Sequence, residues 1–467
     1  MPEKFDIAAY AGKTACVLGC GKSGVEVARM LAEHGVKVLL SEEKKQSQLK
    51  YKLSFEHPLI EAEFGGHSER IFSCAFAVKS PGMFPRAHVL EMLHQKKVPV
   101  YSEMEIALSF LPECEVFAVT GTNGKTTTTT LLGDILAEHM RLKGAGKAYV
   151  TGNIGTPLSA VIKQVKPDDA IAIEVSSYQL EDSNYFSPDS ACLLNITPDH
   201  LDHHGGMEKY IAAKKKVFAQ QKKDALCVFN ALDEHCRTLA VQCPSKVLYF
   251  ASAAGDKLPA LDAYFSDGKI NFRLDSGTVS LTPPALPGLH NIENAMAAGL
   301  MALGRGISPQ AVQNAFTAFR AVEHRIEDCG IINGVRCIND SKATNVDSTL
   351  VALKALASDK KNIWLILGGL GKGAPYAPLA PYIKTGVKYI LSIGADAVVI
   401  EEELKDCAPV VNCDIVDEAL AYCLSHAAGG DILLFSPACA SFDQFRDFED
   451  RGRYFKKLVA EKLAVAK

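Results

Sequence analysis

The chain has 467 residues, of which 48% are hydrophobic and 22% charged, ordinary proportions for folded protein that exclude a disordered or fibrous chain. At ~100–200 residues per domain this length predicts two to four domains, three being the central expectation. With 50 Lys and Arg against 54 Asp and Glu, the net charge of −4 gives no electrostatic ground for nucleic acid or an anionic membrane as partner, so an anionic substrate must be met by local cations.

The 14 cysteines are scattered singly without a Cys-x-x-Cys spacing, which reads as reduced thiols rather than a disulfide framework or a zinc pattern. No apolar h-region opens the chain and no run of about 18 uncharged apolar residues occurs, so a cytoplasmic protein without signal peptide or membrane span is expected.

Residues 14–18 form a β-prone run, followed by a glycine-rich turn at 19–24, a helical stretch to about 34 and a strand at 36–40, a βαβ opening. Residues 78–82 read as a strand running into a turn, and the Pro-bounded segment 99–112 places a boundary near 103. The second block has strands at 116–120, 170–174 and 191–196, a less regular stretch at 251–288 and an Ala-rich helix at 291–303. A third block from about 321 alternates strands at 363–367, 389–393 and 432–435 with helical segments. Strand–helix alternation in all three blocks predicts the α/β class, with largely parallel sheets and ligands at the C-terminal strand ends.

The strongest motif is Val119-Thr120-Gly121-Thr122-Asn123-Gly124-Lys125-Thr126-Thr127, a strand, a tight glycine loop and a helix start. Backbone N–H groups of such a loop can cradle phosphates, Lys125 can neutralise them, and the Thr126 hydroxyl can hold Mg²⁺. The spacing departs from G-x-x-x-x-G-K-[ST], because Val119 stands five before Gly124. The bland alternative is a solvated turn with a surface lysine. Glu174 ends a buried-type strand where a Mg²⁺ ligand would sit, although a strand-end Glu alone is more often a surface residue. No Asn-Lys-x-Asp run is present to read guanine.

Residues 195–204 pack His200, His203, His204, Asp199 and Asp202 into one loop, which suits Mg²⁺ chemistry beside a phosphate loop better than zinc, or is simply polar. In the following helical stretch, Met207, Tyr210, Ile211, Val217 and Phe218 form one stripe at ~100° per residue, and Lys214 falls inside it while Lys215 and Lys216 point away. An inward, desolvated amine can deprotonate and add CO₂ to become a carbamate. Gly19-Cys20-Gly21-Lys22-Ser23-Gly24 matches G-x-G-x-x-G, but Ser41-Glu42-Glu43 supplies the acidic ribose anchor only loosely, which favours another nucleotide or nucleotide-sugar over NAD. Residues 339–345 and 367–373 each place a lysine on a polar or glycine loop, and residues 436–445 follow a strand and are expected to open a helix suited to a carboxylate. Simple turns and plain capping are the alternatives there.

Together these residues resemble the Mur ligase family of peptidoglycan precursor synthesis, over all three blocks. Residues 120–126, Glu174-Val175-Ser176-Ser177, residues 195–200, His290-Asn291 with Asn294, His324-Arg325 and residues 340–345 look like the family's shared set. Residues 436–445 with Phe448-Glu449-x-Arg451-Gly452 are similar to the branch that adds D-glutamate, and the Asp-Asn-Pro-Arg run of the diaminopimelate-adding branch is absent.

The resemblance implies an ATP-dependent amide-bond ligase adding D-glutamate to UDP-N-acetylmuramoyl-L-alanine through an acyl phosphate, as a cytoplasmic monomer. It implies a Rossmann-like UDP-substrate domain at 1–102, a P-loop ATPase-type central domain at 103–320 and a Rossmann-like amino-acid domain at 321–467. By resemblance Gly21, Lys22, Ser23, Ser80, Pro81, Gly82, Asn153 and His200 hold the UDP-substrate. The nucleotide falls to Gly121, Thr122, Asn123, Gly124, Lys125, Thr126, Thr127, Asn291, Asn294, Arg325, Asp340 and Lys342. Thr126, Glu174, His200 and a CO₂-derived carbamate on Lys214 serve two Mg²⁺ ions, with Lys125, His200 and Lys214 catalytic. Thr344, Lys372, Ser441, Phe442 and Phe448 bind D-glutamate. The rival readings are a dehydrogenase built on residues 19–24 and a regulatory module that binds ATP without turnover.

Overall fold

The computed structural model describes residues 5–49, 57–80, 83, 88–153, 156–253, 258–275, 277–320, 323–356, 360–371 and 373–465. Pro81, Gly82 and Lys372 lie outside them, as does the side chain of Lys22. The chain separates into two compact units, Met1–Ala285 with Ile292–Phe319, and Leu286–Asn291 with Arg320–Lys467.

The first unit holds two sheets. Strands β1 (Thr14–Leu18), β2 (Lys37–Glu42), β3 (Ile60–Phe64), β4 (Phe76–Lys79) and β5 (Val100–Ser102) pair in parallel in the order β3-β2-β1-β4-β5. The central runs Ala15 to Leu18 and Phe76 to Val78 are at most 1% exposed, the continuous apolar pattern of strands covered on both faces. The strand order reverses at β1, so its C-terminal end, where the glycine turn and Ser80 meet, is a topological switch point of the kind that accepts ligands.

The second sheet comprises β6 (Glu115–Thr120), β7 (Ala148–Gly152), β8 (Ala170–Glu174), β9 (Ser190–Leu193), β10 (Leu226–Asn230), β11 (Lys246–Ala251), β12 (Ala263–Ser266), β13 (Lys269–Leu274) and β14 (Gly277–Leu281). Its order is β14-β13-β12-β11-β10-β9-β6-β8-β7. Strand β6 lies between β8 and β9, with Val119 opposite Glu174 and Thr120 opposite Leu193, which brings the three C-terminal ends together. The stretch expected to be irregular, 251–288, instead carries an antiparallel meander, β12-β13-β14. Asp267 and Gly268 both take positive φ, 51° and 71°, the two-residue type I′ turn that matches strand twist.

In the second unit, β15 (Glu327–Ile332), β16 (Val335–Asn339), β17 (Ile363–Gly368), β18 (Val387–Ile393), β19 (Val410–Asp414) and β20 (Ile432–Phe435) run in the order β15-β16-β20-β17-β18-β19. Among these described strand pairs the β15–β16 hairpin alone is antiparallel, closed by Asn333-Gly334 at φ 50° and 82°, and an isolated antiparallel bridge joins Leu370 to Ala440. The helix expected to open at Ser441 begins instead at Phe448 and runs to Val465. Asp447 Oδ1 accepts the amide of Asp450 at 2.7 Å and the Asp447 carbonyl takes Arg451 N, so Asp447 is the functional cap. No helix of the described residues is long and apolar enough to cross a membrane.

Candidate active site

The loop after β6 is held open by geometry that only glycine tolerates. Gly121 and Gly124 take φ of 155° and 85°; a Cβ would lie 2.9 Å from Leu194 Cβ at the first and 2.4 Å from Asn294 Oδ1 at the second. Gly124 caps the helix Lys125–Lys143, whose first turn therefore points its N–H groups and a positive dipole end into the loop. Lys125 Nζ donates to the carbonyls of Gly121 (2.9 Å) and Thr122 (2.7 Å), which places its charge at the loop mouth. Thr126 Oγ1 donates to Glu174 Oε2 at 2.7 Å, Asn153 Nδ2 donates to Glu174 Oε1 at 3.1 Å, and Thr128 Oγ1 donates to Asn294 Oδ1 at 3.2 Å. Hydroxyl and carboxylate oxygens are the hard donors that Mg²⁺ takes, and the side-chain-free cradle fits a polyphosphate. Thr127 is buried behind it.

A second layer fixes the loop from the β9 side. Thr122 N bonds the Asn195 carbonyl at 2.9 Å, Asn123 N bonds Asn195 Oδ1 at 2.8 Å, and Asn195 Nδ2 returns to the Asn123 carbonyl at 3.1 Å. Tyr210 OH lies 2.9 Å from Thr122 Oγ1. One helical turn on, Lys214 is 1% exposed and donates to the Gly121 carbonyl at 2.7 Å, with its ammonium 4.7 Å from the Tyr210 ring centre. Burial, reinforced by Lys125, holds the Lys214 amine well below the usual lysine range. His200 sits at φ 54°, a left-handed conformation that Asp199 supports by accepting its amide at 3.0 Å, and its Nδ1 is 2.9 Å from Tyr178 OH.

At the switch point of the first sheet, a Cβ on Gly24 would stand 2.1 Å from the Gly19 carbonyl, and Gly21 caps the helix Lys22–Glu33. Ser80 N bonds the Leu18 carbonyl at 3.2 Å and places its side chain beside Gly19. Glu42 closes this corner, its Oε2 accepting Cys20 N at 2.8 Å, and Ser41 bonds Glu63 at 2.5 Å and His67 at 2.7 Å. The acidic residue that an NAD site would aim at a ribose is thus spent on the glycine turn itself.

In the second unit, Asp340 accepts the Ile326 amide at 3.2 Å and the Ser436 hydroxyl at 2.7 Å; burial pushes its carboxyl up to about 7 against the pull of Ser436 and Arg325. Lys342 Nζ lies 5.0 Å from the Phe448 ring centre, and Thr344 N bonds the Lys342 carbonyl at 2.9 Å. Asn291 Nδ2 donates to the Pro287 carbonyl at 2.7 Å. Ser441 is 2% exposed whereas Phe442 is 67% exposed. Arg451, given no role from sequence, is fully buried and ties this corner together: Nε bonds Ser341 Oγ at 3.0 Å, Nη2 bonds the Ser341 and Cys439 carbonyls at 2.8 and 3.1 Å, and Ser341 Oγ bonds the Phe448 carbonyl at 2.8 Å. Tyr210 and Asn195 also went without a role; the i, i+4 spacing of Tyr210 and Lys214 on one face was the signal for the first.

A glycine cradle with an axial lysine, a hydroxyl–carboxylate pair and a buried low-pKa amine defines an α/β protein able to manage polyphosphate and hard cations. Three family profiles match the chain: the MurD N-terminal domain over 14–89, the Mur ligase middle domain over 119–302 and the Mur ligase, glutamate ligase domain over 324–439. The UDP-N-acetylmuramoylalanine–D-glutamate ligase of Elusimicrobium minutum is 47% identical over 456 residues, 97% of this chain and 99% of the relative. That of Koribacter versatilis is 41% identical over 457 residues, 96% of this chain and 97% of the relative. Among solved structures, the UDP-N-acetylmuramate-alanine ligase of Thermotoga maritima superposes with a TM-score of 0.58 at 19% identity over 97% of this chain and 100% of that one, a likeness of fold. The chain belongs to the Mur ligase family.

Proposed function

We propose that the protein is an ATP-dependent ligase that joins D-glutamate to UDP-N-acetylmuramoyl-L-alanine in peptidoglycan precursor synthesis. The observation that carries this reading is the 47% identity, over 97% of the chain, to a relative bearing that activity in its name. The site chemistry supports it. A carboxylate is a poor acyl donor, so the L-alanyl carboxylate first attacks the γ-phosphate of ATP, releasing ADP and leaving an acyl phosphate. The D-glutamate amine then adds to the acyl carbon, and the tetrahedral intermediate expels phosphate and forms the amide.

Lys125 and the N–H groups of residues 121–127 cradle the phosphates and stabilise charge on the transferring group. Two Mg²⁺ ions, when bound through Thr126, Glu174, His200 and Lys214, screen carboxylate from phosphate. For Lys214 to serve there its neutral amine adds CO₂ and loses one proton, which turns a cation into a carbamate oxygen donor; complete burial and the lowered amine pKa favour that reaction. Asn291, Asn294, Arg325, Asp340 and Lys342 are assigned to the nucleotide. Gly21, Lys22, Ser23, Ser80, Pro81, Gly82, Asn153 and His200 are assigned to the UDP-substrate, and Thr344, Lys372, Ser441, Phe442 and Phe448 to D-glutamate. We assign three domains, 1–102, 103–320 and 321–467, to a cytoplasmic monomer.

Phosphate release measured with ATP and Mg²⁺ tests the reading. It must require both UDP-N-acetylmuramoyl-L-alanine and an amino acid. Release with neither present, or none with both, contradicts it.

A further inference from the structure

Three donor atoms that the ligase reading leaves unused converge beside Tyr178. Glu181 ends the helix Ser177–Glu181, and His203 and His204 end the short helix Leu201–His204. His203 Nε2 lies 3.1 Å from Glu181 Oε2, His204 Nδ1 lies 3.9 Å from Glu181 Oε1, and one donor atom from each residue falls within 4.8 Å of the others. Ligands at ~2.0–2.2 Å around a tetrahedral ion stand roughly 3.4 Å apart, so small side-chain rotations bring this set to coordinating distance.

His204 separates the cluster from an ordinary ion-pair network. The residue is 4% exposed, and its Nδ1 has no hydrogen-bond partner. Its Nε2 is 3.0 Å from Ser177 Oγ. In the tautomer whose Nε2–H donates to that hydroxyl, Nδ1 presents a bare lone pair toward Glu181, the orientation that outer hydrogen bonds give to metal-ligating imidazoles. A buried acceptor without a partner is a cost that a bound cation removes.

Three lysines oppose a cation here: Lys79 Nζ stands 3.6 Å from Glu181 Oε2, Lys216 Nζ donates to the Glu181 carbonyl at 2.5 Å, and Lys214 acts on His204 electrostatically. The nearer partner of Lys79 is Asp182, which neutralises that ammonium, while Glu181 Oε1 remains on the His204 side. Glu181 keeps a third of its side chain exposed, which gives an ion a way in.

We propose that Glu181, His203 and His204 bind a divalent transition ion of the Zn²⁺ class at a site separate from the oxygen-lined Thr126–Glu174 pair. Two imidazoles and one carboxylate with a coordination position left for water suit Zn²⁺ and are a poor set for Mg²⁺. Tyr178 connects the site to the catalytic loop, its ring centre 3.8 Å from that of His203 and its hydroxyl 2.9 Å from His200 Nδ1. An ion that turns His203 displaces the ring that carries this bond, so occupancy lowers turnover with Mg²⁺ in excess. That inhibition rests on the ligase reading; binding of the ion does not.

The experiment uses the full-length protein, stripped of metal, loaded with Zn²⁺ under excess Mg²⁺ and desalted before elemental analysis, with Co²⁺ as the optical stand-in. About one ion per chain is expected, and Co²⁺ should give a tetrahedral visible band without thiolate charge transfer. His204→Ala and the less buried Glu181→Gln should each weaken binding at least ~10-fold. No retained ion, a thiolate band placing the ion on a cysteine, or unchanged affinity in Glu181→Gln would overturn the proposal. Zn²⁺ binding at this site without effect on phosphate release would leave the site standing and remove the inhibitory link.

Discussion

Lys214 combines two properties that a surface lysine never shows together: it is 1% exposed, and it donates to a carbonyl of the phosphate loop. As a charged amine it would stand near Lys125 in a desolvated place, which is what depresses its pKa. The carbamate assignment predicts that Lys214→Ala loses nearly all turnover and regains part of it with added short carboxylates, which supply the missing oxygen donors. Carbon-13 NMR of the active enzyme in labelled bicarbonate should show the carbamate carbon; a free amine in fully active enzyme defeats the assignment. For Lys125, removal of a preorganised charge partner should lower kcat roughly 100-fold or more in Lys125→Ala. Near-normal turnover in a folded variant would show that the lysine is not at the transferring phosphate.

At the scale of elements, the β6 loop and the helix after it are one device. Gly124→Ala forces a left-handed backbone on alanine, at about 1–2 kcal/mol, and drives Cβ against Asn294 Oδ1. The variant should melt at lower temperature and bind ATP more weakly by calorimetric titration; unchanged affinity would mean that the loop geometry is not what holds the nucleotide. The helix Glu103–Ser109 carries a different strain. Glu103 is 3% exposed, its Oε1 has no hydrogen-bond partner, and burial pushes its carboxyl up from 4.5 to about 7. Between those values the folded state holds a proton that the unfolded chain has released, so folding stability falls as pH rises from about 4.5 to about 7. At ~1.4 kcal/mol for each tenfold change in proton affinity the loss is a few kcal/mol, and Glu103→Gln should flatten that part of the denaturation profile. A variant with the same pH slope as the parent would assign the titration to another group.

Elements with continuous apolar runs were legible from sequence alone: β1, β8 and β20 fall on the expected residues 14–18, 170–174 and 432–435. The inward direction of Lys214 was legible too, because the 3.6-residue period of its helix fixes which face it shares. The meander in 263–281 was not, since β12 is four residues long and the burial of β14 does not alternate cleanly; its one local signal is the Asp267-Gly268 turn. Ser441 with Gln444 has the spacing of a capping box, but their backbone closes a turn, Gln444 N to the Ser441 carbonyl at 3.2 Å, and the competing cap at Asp447 starts the helix. Arg451 and Glu42 work through contacts distant in sequence, Arg451 to Ser341 and Glu42 to Cys20, which no local pattern encodes.

For the whole molecule, three sheets offer three sets of C-terminal strand ends, and the assigned ligands distribute over them: nucleotide-sugar at the glycine turn after β1, triphosphate at the loop after β6, amino acid around the segments after β16, β17 and β20. The last assignment is the most specific. D-glutamate carries two carboxylates and needs two cationic or N–H-rich anchors; Lys372 is the assigned cation, Ser441 lies in the turn that precedes the helix Phe448–Val465, and Phe448, whose ring centre is 5.0 Å from Lys342 Nζ, is assigned to the carbon stem. A neutral amino acid leaves an anchor unpaired, a defect worth up to ~10⁴-fold in discrimination. Under this proposed anchoring, L-glutamate would have to turn its amine away from the acyl phosphate to occupy both anchors. The direct measurement is phosphate release with ATP, Mg²⁺ and UDP-N-acetylmuramoyl-L-alanine against D-Glu, L-Glu, D-Asp, L-Lys and meso-diaminopimelate in turn. The account predicts release with D-Glu far above every other member of the panel; preference for any of the other four would contradict it.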